Sequence, residues 1–463
     1  MNQADSEKIN MVLLQSGFLR VNSSEKADLV ICNTCSVRQK WEDRVFGMIH
    51  DIKKKSPNTL IWITGCMVRK TGLAKKYLPD DQQRNKTRKI EFLSDESGIF
   101  NADDMLFPRS PDIDFIFRIE ETKYLPLILS ELYHEKIGQE DKFDDYLKQV
   151  QQRENPFSAN IIIQTWCDNY CTFCIVPYTR GKETSRNPQE ILEECKQAAK
   201  EGATEITLLW QNVNSYGKQF LGKKFWNEEQ SNWNSDIGKS PFRELLESIN
   251  EIEEIKRIRF TSSNPHDMTR DILDAHFDLK NTCNYLHFAL QSGNNELLKK
   301  MNRKHSYEDF RNMVFYLRKR DPLFAISTDI IVGFSGETDE MFEDTMKAFK
   351  ECEFDFSYTA RYSVRKETLA SRLYPDDIPD TVKAERWHIL NDLLLKSVTK
   401  RNQLMLGRKE DVLIAWEKDN YYFWRTRNFK EVFFEKQEDD LIGKVVPIEI
   451  TKLDRYVLHG KIL

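Results

Sequence analysis

Six short apolar runs alternate with helical patterns through the central part of the chain. They cover residues 160–165, 205–209, 257–261, 285–290, 325–332 and 356–362. The first intervening helix has favourable start chemistry, with Asn187 as its cap and Pro188 in its first turn. Strands that alternate regularly with helices are typical of a parallel sheet. Six units are two short of the eight that close a full barrel.

Three cysteines stand directly after the first of these runs. Cys167, Cys171 and Cys174 fall within eight residues. Thiolates are the ligands of iron–sulfur clusters, and three of them leave one iron of a four-iron cluster open to a small molecule. Apolar and aromatic neighbours would shield such a cluster from water. Buried or disulfide-bonded cysteines are the alternative, which this close spacing disfavours.

The cysteine segment resembles a known enzyme family. The spacing Cys-x3-Cys-x2-Cys resembles the radical S-adenosylmethionine (SAM) superfamily. Residues 171–181, Cys-Thr-Phe-Cys-Ile-Val-Pro-Tyr-Thr-Arg-Gly, resemble more specifically the tRNA methylthiotransferases of the MiaB family. The resemblance implies an α/β radical SAM core, a partial (β/α)6 barrel at residues 156–396. It also implies a 4Fe-4S cluster on Cys167, Cys171 and Cys174, with SAM bound to the fourth iron.

Two further cysteines follow strand patterns near the N-terminus. Residues 27–32 and 59–64 are predicted to form buried strands, with Cys35 and Cys66 just beyond their carboxyl ends. Open α/β sheets bind ligands at that edge. Each cysteine alone favours a core role, but their equivalent positions suggest a shared site.

The segments around these cysteines resemble the N-terminal, Rossmann-like methylthiotransferase domain of the same family, at residues 1–125. The resemblance implies an auxiliary 4Fe-4S cluster with Cys35 and Cys66 as its second and third ligands. The first cysteine ligand and the first strand are missing before Met1. We favour the hypothesis that Met1 is an internal methionine of a longer chain, because a lost strand would leave an unpaired sheet edge. Alternatively the cluster is incomplete or uses Cys32, although a buried strand role explains Cys32 better.

Polar residues after several strands are candidates for SAM contacts. SAM needs hydrogen-bond partners for its amino group and ribose, and glycine permits close backbone approach to its carboxylate. Each loop alone is better explained as a turn or helix cap, but together they favour a binding site at one end of the barrel. Trp210 stands where the family usually has glycine, and Ser335 where it usually has proline. The candidate SAM contacts are Gln211, Asn212, Gln291, Ser292, Gly293 and Asp329.

The chain after Gly407 shows the short alternating patterns of a small β-barrel with five strands. This part resembles the TRAM domain, which binds RNA in the family, at residues 397–463. Residues 126–155 are predicted to be a linker. Arginine and aromatic side chains can stack on bases and pair with phosphate, so Arg425, Arg427 and Tyr422 are the candidate RNA contacts. The alternative is that these aromatics fill the core of the small barrel.

Composition constrains the partners and the compartment expected for the protein. The net charge of −5 gives no global basic field for nucleic acid, so RNA binding requires a local patch. Nine cysteines without a signal-like N-terminus favour the reducing cytoplasm. No apolar run approaches the roughly 20 residues needed to span a membrane. We expect the protein to be a monomer.

The resemblance covers nearly the whole chain and implies an activity. The expected reaction converts N6-isopentenyladenosine at tRNA position 37 to its 2-methylthio derivative, with two SAM molecules and a sulfur from the auxiliary cluster. An electron donor such as flavodoxin or ferredoxin and a sulfur donor are expected partners. One alternative is a sister branch acting on threonylcarbamoyl-adenosine tRNA or on a ribosomal-protein aspartate. Another is a non-catalytic iron–sulfur protein that binds tRNA.

Overall fold

The computed structural model divides the chain into two compact units. The first comprises Met1–Glu154 with Ile175–Lys182, and the second comprises Asn155–Cys174 with Glu183–Leu463. The domain boundaries drawn from the sequence stay predictions. Cys35 and residues 178–181 of the long motif lie outside the described residues. Those are 2–34, 39–68, 106, 109–133, 153, 155–177, 183–221, 233, 238–366, 368–436 and 440–463.

A three-stranded parallel sheet organises the described part of the first unit. Its strands are β1 (Leu29–Thr34), β2 (Leu60–Gly65) and β3 (Phe115–Ile116), in that order. The helices are α1 (Asn2–Gln15), α2 (Gln39–Lys55) and α3 (Leu125–Tyr133). Strands β1 and β2 confirm the two strands predicted here. The sequence does not predict β3, because two residues are too few to show a period.

Six parallel strands form the barrel of the second unit, and all six were predicted. A short antiparallel pair, β5 and β6, flanks the cysteine loop. The first three barrel strands form one hydrogen-bonded sheet and the last three another, and bridges such as Ser263 to Phe288 join them. The strands are β4 (Ser158–Ile162), β5 (Gln164–Thr165), β6 (Thr184–Ser185), β7 (Glu205–Leu209), β8 (Arg257–Phe260), β9 (Tyr285–His287), β10 (Ala325–Val332) and β11 (Phe356–Arg361).

Helices connect the barrel strands and cover their apolar face. Ile206, Leu208, Ile258 and Phe260 alternate along β7 and β8 and are almost completely buried in this core. Side-chain oxygens of polar residues cap several helix starts, as Ser306 does for Asp309 N–H. The helices are α4 (Pro188–Lys200), α5 (Lys218–Leu221), α6 (Pro241–Asn250), α7 (Arg270–Asp278), α8 (Asn295–Lys300), α9 (Tyr307–Arg320), α10 (Asp339–Cys352), α11 (Leu369–Leu373) and α12 (Asp380–Gln403).

The opposite face of the barrel strands is polar. Because side chains alternate along a strand, Glu205, Arg257 and Arg259 point away from the helices. Arg259 Nε donates to the Glu205 carboxylate at 2.9 Å, and all three residues are about 2% exposed. Burial opposes ionisation of Glu205, but the guanidinium groups of Arg259 and Arg257 outweigh it and lower the pKa of this carboxyl. The barrel interior therefore holds charges that are paired with one another.

The C-terminal sheet contains six strands rather than the five predicted. Its order is β12-β16-β17-β15-β14-β13, and all neighbours are antiparallel except β15 and β17. The extra strand, β13, is a three-residue partner in a hairpin with β14. None of the helices in the described residues combines the length and apolar character required to cross a bilayer. The strands are β12 (Lys409–Leu413), β13 (Trp416–Lys418), β14 (Tyr421–Arg425), β15 (Glu431–Glu435), β16 (Val445–Asp454) and β17 (Val457–Ile462).

Candidate active site

The three cysteines lie on the loop that follows β5, and each is half-buried. The loop turns sharply through two residues in the left-handed region, Trp166 with φ 67° and Tyr170 with φ 46°. This conformation is uncommon for non-glycine residues, and for a bulky residue it is strained. Strain of this kind persists only where the surrounding contacts enforce it.

Those contacts come from the segment that follows α8. Thr172 N–H donates to the Met301 carbonyl at 3.0 Å, and the Thr172 hydroxyl donates to the Lys300 carbonyl at 2.9 Å. The Asn302 amide in turn donates to the Asn169 carbonyl at 3.2 Å. The cysteine loop is therefore fastened to the barrel by bonds across about 130 residues of sequence.

Side-chain nitrogen donors lie within hydrogen-bond distance of Cys167 and Cys171. Asn169 Nδ2 is 3.5 Å from Cys167 Sγ, and Arg303 Nη1 is 3.4 Å from Cys171 Sγ. N–H groups directed at sulfur are typical surroundings of iron–sulfur ligands, because they tune the cluster. Sequence analysis missed Arg303, because it lies 132 residues from Cys171.

The three thiols of the cysteine loop are donors of the type that iron–sulfur clusters use. In the described residues no three His, Cys, Asp or Glu side chains converge on one ion position. The three ligands of a 4Fe-4S cluster each bind a different iron, so they are set wider apart. Burial, the Glu183 carboxylate and the Cys171 thiol raise the pKa of Cys167 well above its usual value. Iron binding would therefore displace a proton from the Cys167 thiol.

A buried polar cluster lies beside the cysteine loop and contains Asn212, one of the predicted SAM contacts. Asn212 is 1% exposed, and its amide donates to the Asp267 carboxylate at 2.7 Å. The Ser215 hydroxyl donates to Glu183 at 2.9 Å. Burial and the nearby Asp267 carboxylate raise the pKa of Glu183 to about 8. Sequence analysis missed Glu183 and Asp267, because nothing in their local pattern marks them. Gln211, the neighbouring prediction, is half-buried.

Three predicted SAM contacts lie together after β9. Gln291 N–H donates to the Asp329 carbonyl at 2.8 Å, which links the segment after β9 to the middle of β10. Ser292 is fully buried, and Gly293 N–H donates to the Thr345 hydroxyl of α10 at 3.0 Å. A Cβ at Gly293 would overlap the backbone of α10. Ser292 and Gly293 thus pack the loop against a helix, and their contact with SAM stays a prediction.

Asp329 ends a hydrogen-bonded chain on the polar face of the barrel. The Tyr285 hydroxyl lies 2.7 Å from Ser327 Oγ, which lies 2.8 Å from His287 Nδ1. His287 Nε2 lies 3.1 Å from an Asp329 carboxylate oxygen. His287 is 7% exposed, whereas the Asp329 side chain is 37% exposed. These hydrogen bonds therefore orient one partly exposed carboxylate, and sequence analysis missed the other three residues that make them.

Trp210, where the family usually has glycine, fills space beside the cysteine loop. It is 2% exposed, and its indole N–H donates to the Trp166 carbonyl. The two indole rings meet edge to face, with centroids 6.2 Å apart. Ser335, the other departure, is 3% exposed. Trp210 thus contacts the residue directly before Cys167.

In the first unit, Cys66 follows β2 and is 7% exposed. Its N–H donates to the Thr34 carbonyl at 2.9 Å, so the ends of β1 and β2 meet. Cys35 lies directly after β1 in sequence but outside the described residues. Cys32 belongs to the apolar core, and burial raises the pKa of its thiol to about 11. This placement favours the core role for Cys32.

The predicted RNA contacts lie in or near intramolecular contacts. Tyr422 is 3% exposed in the core of the C-terminal sheet. Arg427 donates to the carbonyls of Lys280 and Thr282 at 2.9 and 2.8 Å, next to β9. Arg425 lies over its neighbour Trp424 and pairs with a carboxylate on β15. These placements favour a structural role, and RNA contact by these three residues stays a prediction.

Three family models match the chain. Residues 1–83 match Uncharacterized protein family UPF0004, residues 161–349 match the Radical SAM superfamily, and residues 403–463 match the TRAM domain. Among solved structures, the radical S-adenosylmethionine methyltransferase TsrM from Kitasatospora setae aligns over 80% of this chain and 72% of its own. Its TM-score is 0.49 at 11% identity, which is too low to support an argument.

Similar curated proteins span the whole chain. One from Clostridium botulinum (strain Okra / Type B1) is 36% identical over 471 residues, which cover 100% of this chain and 94% of the relative. One from Caldicellulosiruptor saccharolyticus is 36% identical over 472 residues, which cover 100% of this chain and 90% of the relative. Both are named tRNA-2-methylthio-N(6)-dimethylallyladenosine synthase. The chain therefore belongs to the tRNA-2-methylthio-N(6)-dimethylallyladenosine synthase family, within the radical SAM superfamily.

Proposed function

We propose that this protein converts N6-isopentenyladenosine at tRNA position 37 to its 2-methylthio derivative. The observation that carries this proposal is the end-to-end match at 36% identity with relatives named for that product. The sister-branch activities and a non-catalytic role gain no support from any feature of the structure.

The target C–H bond of adenine is not acidic, so acid–base groups cannot activate it, and cofactor chemistry is required. Membership of the radical SAM superfamily brings a 4Fe-4S cluster and SAM. When bound, they supply the radical that activates this bond. Cys167, Cys171 and Cys174 hold the cluster in our proposal. The bonds from Thr172 and Asn302 fix the loop that carries them.

The polar residues at the carboxyl ends of the strands orient SAM in our proposal. Asp329 accepts a hydrogen bond from an N–H group of the ligand, because its carboxylate is partly exposed and held by His287. Gln211, Asn212 and Gln291 contribute further polar contacts. Ser292 and Gly293 shape the loop through their contacts with α10.

Several further elements of the proposal rest on family resemblance. Cys35 and Cys66 hold an auxiliary 4Fe-4S cluster that provides the sulfur, and a sulfur donor replenishes it. Flavodoxin or ferredoxin supplies electrons. The C-terminal region contributes to tRNA binding, and the protein acts as a monomer in the cytoplasm.

Nucleoside mass spectrometry tests the reaction. Expression of the full chain in a host that makes N6-isopentenyladenosine but lacks its own methylthiotransferase should produce the 2-methylthio nucleoside. The Cys171→Ala variant should produce none, because it removes a cluster ligand. Absence of the product from cells that contain iron-loaded parent protein would refute the proposal.

Iron analysis tests the auxiliary cluster separately. About eight irons per chain in anaerobically reconstituted protein, falling to about four in the Cys66→Ala variant, would support two clusters. Four irons in both proteins would show that only the radical SAM cluster forms. Loss of Cys32 should leave the iron content unchanged, because Cys32 belongs to the core.

A further inference from the structure

The guanidinium of Arg303 is held beside Cys171 by acceptors other than the thiol. Its Nη2 donates to Asn264 Oδ1 at 2.7 Å and to the Ala289 carbonyl at 2.9 Å. Its Nη1 lies 3.4 Å from Cys171 Sγ. A guanidinium is planar and rigid, so two acceptors at Nη2 also fix the direction of Nη1. Asn264 and the Ala289 carbonyl, rather than the sulfur, therefore determine where the Nη1 N–H points.

Asn264 and the backbone of Arg303 are themselves held in place by hydrogen bonds. Asn264 N–H donates to Asn214 Oδ1 at 2.9 Å, and the Asn214 amide donates back to the Asn264 carbonyl at 2.9 Å. The backbone N–H of Arg303 donates to the Leu298 carbonyl at 2.8 Å. Asn302, directly before Arg303, has φ 57°, a left-handed conformation that asparagine tolerates well. Both ends of the Arg303 side chain are thus anchored.

Arg303 is half-buried, and its charge is not paired with a carboxylate as the charges of two fully buried arginines are. Arg259 pairs with Glu205 at 2.9 Å, and Arg386 pairs with Glu337 at 2.7 Å. No carboxylate lies within ion-pair distance of Arg303 in the described part of the chain, where its recorded partners are an amide oxygen, a carbonyl and a sulfur. The nearest carboxylate in this network, that of Asp267, accepts from Asn264 Nδ2 at 3.3 Å rather than from Arg303 itself. The positive charge of Arg303 therefore faces the cysteine loop without a carboxylate in direct contact.

We propose that Arg303 is a positioning residue that raises the reduction potential of the cluster held by Cys167, Cys171 and Cys174. Reduction adds a negative charge to a cluster that thiolate ligands already make negative. An N–H bond to a ligand sulfur and a nearby cation both stabilise the reduced state. This inference rests on the proposed cluster-binding role of the three cysteines.

The inference has a consequence for electron supply. Without Arg303 the cluster becomes harder to reduce, so a mild physiological donor reduces a smaller fraction of it. Cleavage of SAM then slows with flavodoxin as donor and recovers with a stronger chemical reductant. A loss of folding or of SAM binding would not recover in this way.

An electron paramagnetic resonance (EPR) redox titration tests the potential directly. We would titrate the anaerobically reconstituted full chain in the Cys66→Ala background, so that the radical SAM cluster dominates the signal. Arg303→Gln should shift the midpoint potential to more negative values at unchanged iron content. Arg303→Lys should lie between Gln and the parent, because lysine keeps the charge but loses the rigid fork. An unchanged or more positive potential in Arg303→Gln would overturn the inference.

Arg270→Gln is the matched control. The Arg270 guanidinium stacks on Trp233 and Tyr316, with ring centroids at 4.6 and 4.1 Å. Its loss also removes a half-buried cation, at the start of α7, that has no cysteine contact in the described residues. The control should keep the parent potential, and an equal shift in Arg270→Gln would make the effect of Arg303 non-specific and refute the inference.

A second measurement needs no stable Gln variant. Protein labelled with 15N in its arginine side chains should show a nitrogen hyperfine coupling to the reduced cluster in electron–nuclear double resonance (ENDOR). Arg303→Lys should abolish that coupling while retaining the cluster signal. A coupling that is absent from the parent, or persists in Arg303→Lys, would overturn the inference.

The outcomes also separate this inference from the proposed function. A parent protein that loads iron and forms the methylthio nucleoside, yet shows no change of potential in Arg303→Gln, refutes only the role of Arg303. A parent protein that loads no cluster on the three cysteines refutes both.

Discussion

Phe429 stacks face to face on Tyr285, with ring centroids 4.2 Å apart and ring planes inclined by 12°. Tyr285 begins β9 of the barrel, and Phe429 lies in the turn between β14 and β15 of the C-terminal sheet. The guanidinium of Arg425 lies 4.1 Å from the Phe429 ring centre. Arg259 donates to the Thr426 and Arg427 carbonyls at 2.7 and 2.8 Å. The C-terminal sheet is thus bonded to the amino ends of the barrel strands.

We expect Phe429→Ala to lower the free energy of unfolding by about 2 kcal/mol. The change removes a half-buried ring together with its stacking on Tyr285. Urea unfolding measures the loss of stability. Limited proteolysis should also release the C-terminal sheet faster than in the parent.

Phe423→Ala is the control for this attachment. Phe423 stacks on Phe433 within the C-terminal sheet, with centroids 4.9 Å apart, and pairs with no barrel ring among the described residues. The Phe423→Ala variant should have a lower free energy of unfolding. Limited proteolysis should nevertheless release its intact C-terminal sheet little faster than that of the parent. Equal release from both variants would show that the contact with Tyr285 does not hold the sheet.

Trp166 adopts φ 67°, a conformation that favours glycine. We expect Trp166→Gly to be more stable than Trp166→Ala by about 1 kcal/mol, because both lose the indole contact and only glycine relieves the backbone strain. Urea unfolding of the two variants measures this difference. At Glu193, an exposed position inside α4, the order should reverse, since alanine favours a helix by about 1 kcal/mol over glycine. If Trp166→Ala is as stable as Trp166→Gly, or more stable, the strain argument is wrong.

His276 should make stability depend on pH below neutrality. Burial lowers the pKa of His276 to about 4 in the folded protein, from 6.5 in the unfolded chain. The unfolded state then binds more protons between these values, so the contribution is complete above pH 6.5 and is lost as pH falls towards 4. We expect a loss of about 1 kcal/mol between pH 7.5 and 5.5.

His276→Gln should remove this part of the pH dependence, because a glutamine amide does not titrate in this range. His50→Gln is the control, since the His50 side chain is 72% exposed. Urea unfolding at the two pH values measures both. If His276→Gln retains the slope of the parent, His276 is not its source.

Asp329→Asn should weaken SAM binding about tenfold, because it removes the charge from a hydrogen bond that we propose to the ligand. Equilibrium dialysis of the anaerobically reconstituted protein measures the affinity. Asp380→Asn removes an equal charge from a side chain that is 94% exposed, and should leave binding unchanged. If Asp329→Asn binds SAM as tightly as the parent protein, Asp329 makes no direct contact with SAM.

Much of the barrel was predictable, because a strand buried on one face leaves a local pattern. Strand β10 has the predicted bounds, 325–332. The cysteine loop was predictable for a similar reason, since its three thiols lie within eight residues. The RNA contacts show the limit of such patterns. Arginine and aromatic residues in a short segment do not reveal whether they face solvent or a neighbouring domain, and Arg427 faces the barrel.

The sequence by itself determined the order of strands and helices and the spacing of the three cysteines, because both depend on residues close together in the chain. Only the tertiary structure decided what surrounds those cysteines. Arg303 reaches Cys171, and His287 reaches Asp329, across 132 and 42 residues of sequence. Contacts of this kind arise when separate strands pack into one barrel. The local sequence around one partner therefore does not predict which residue the other partner is.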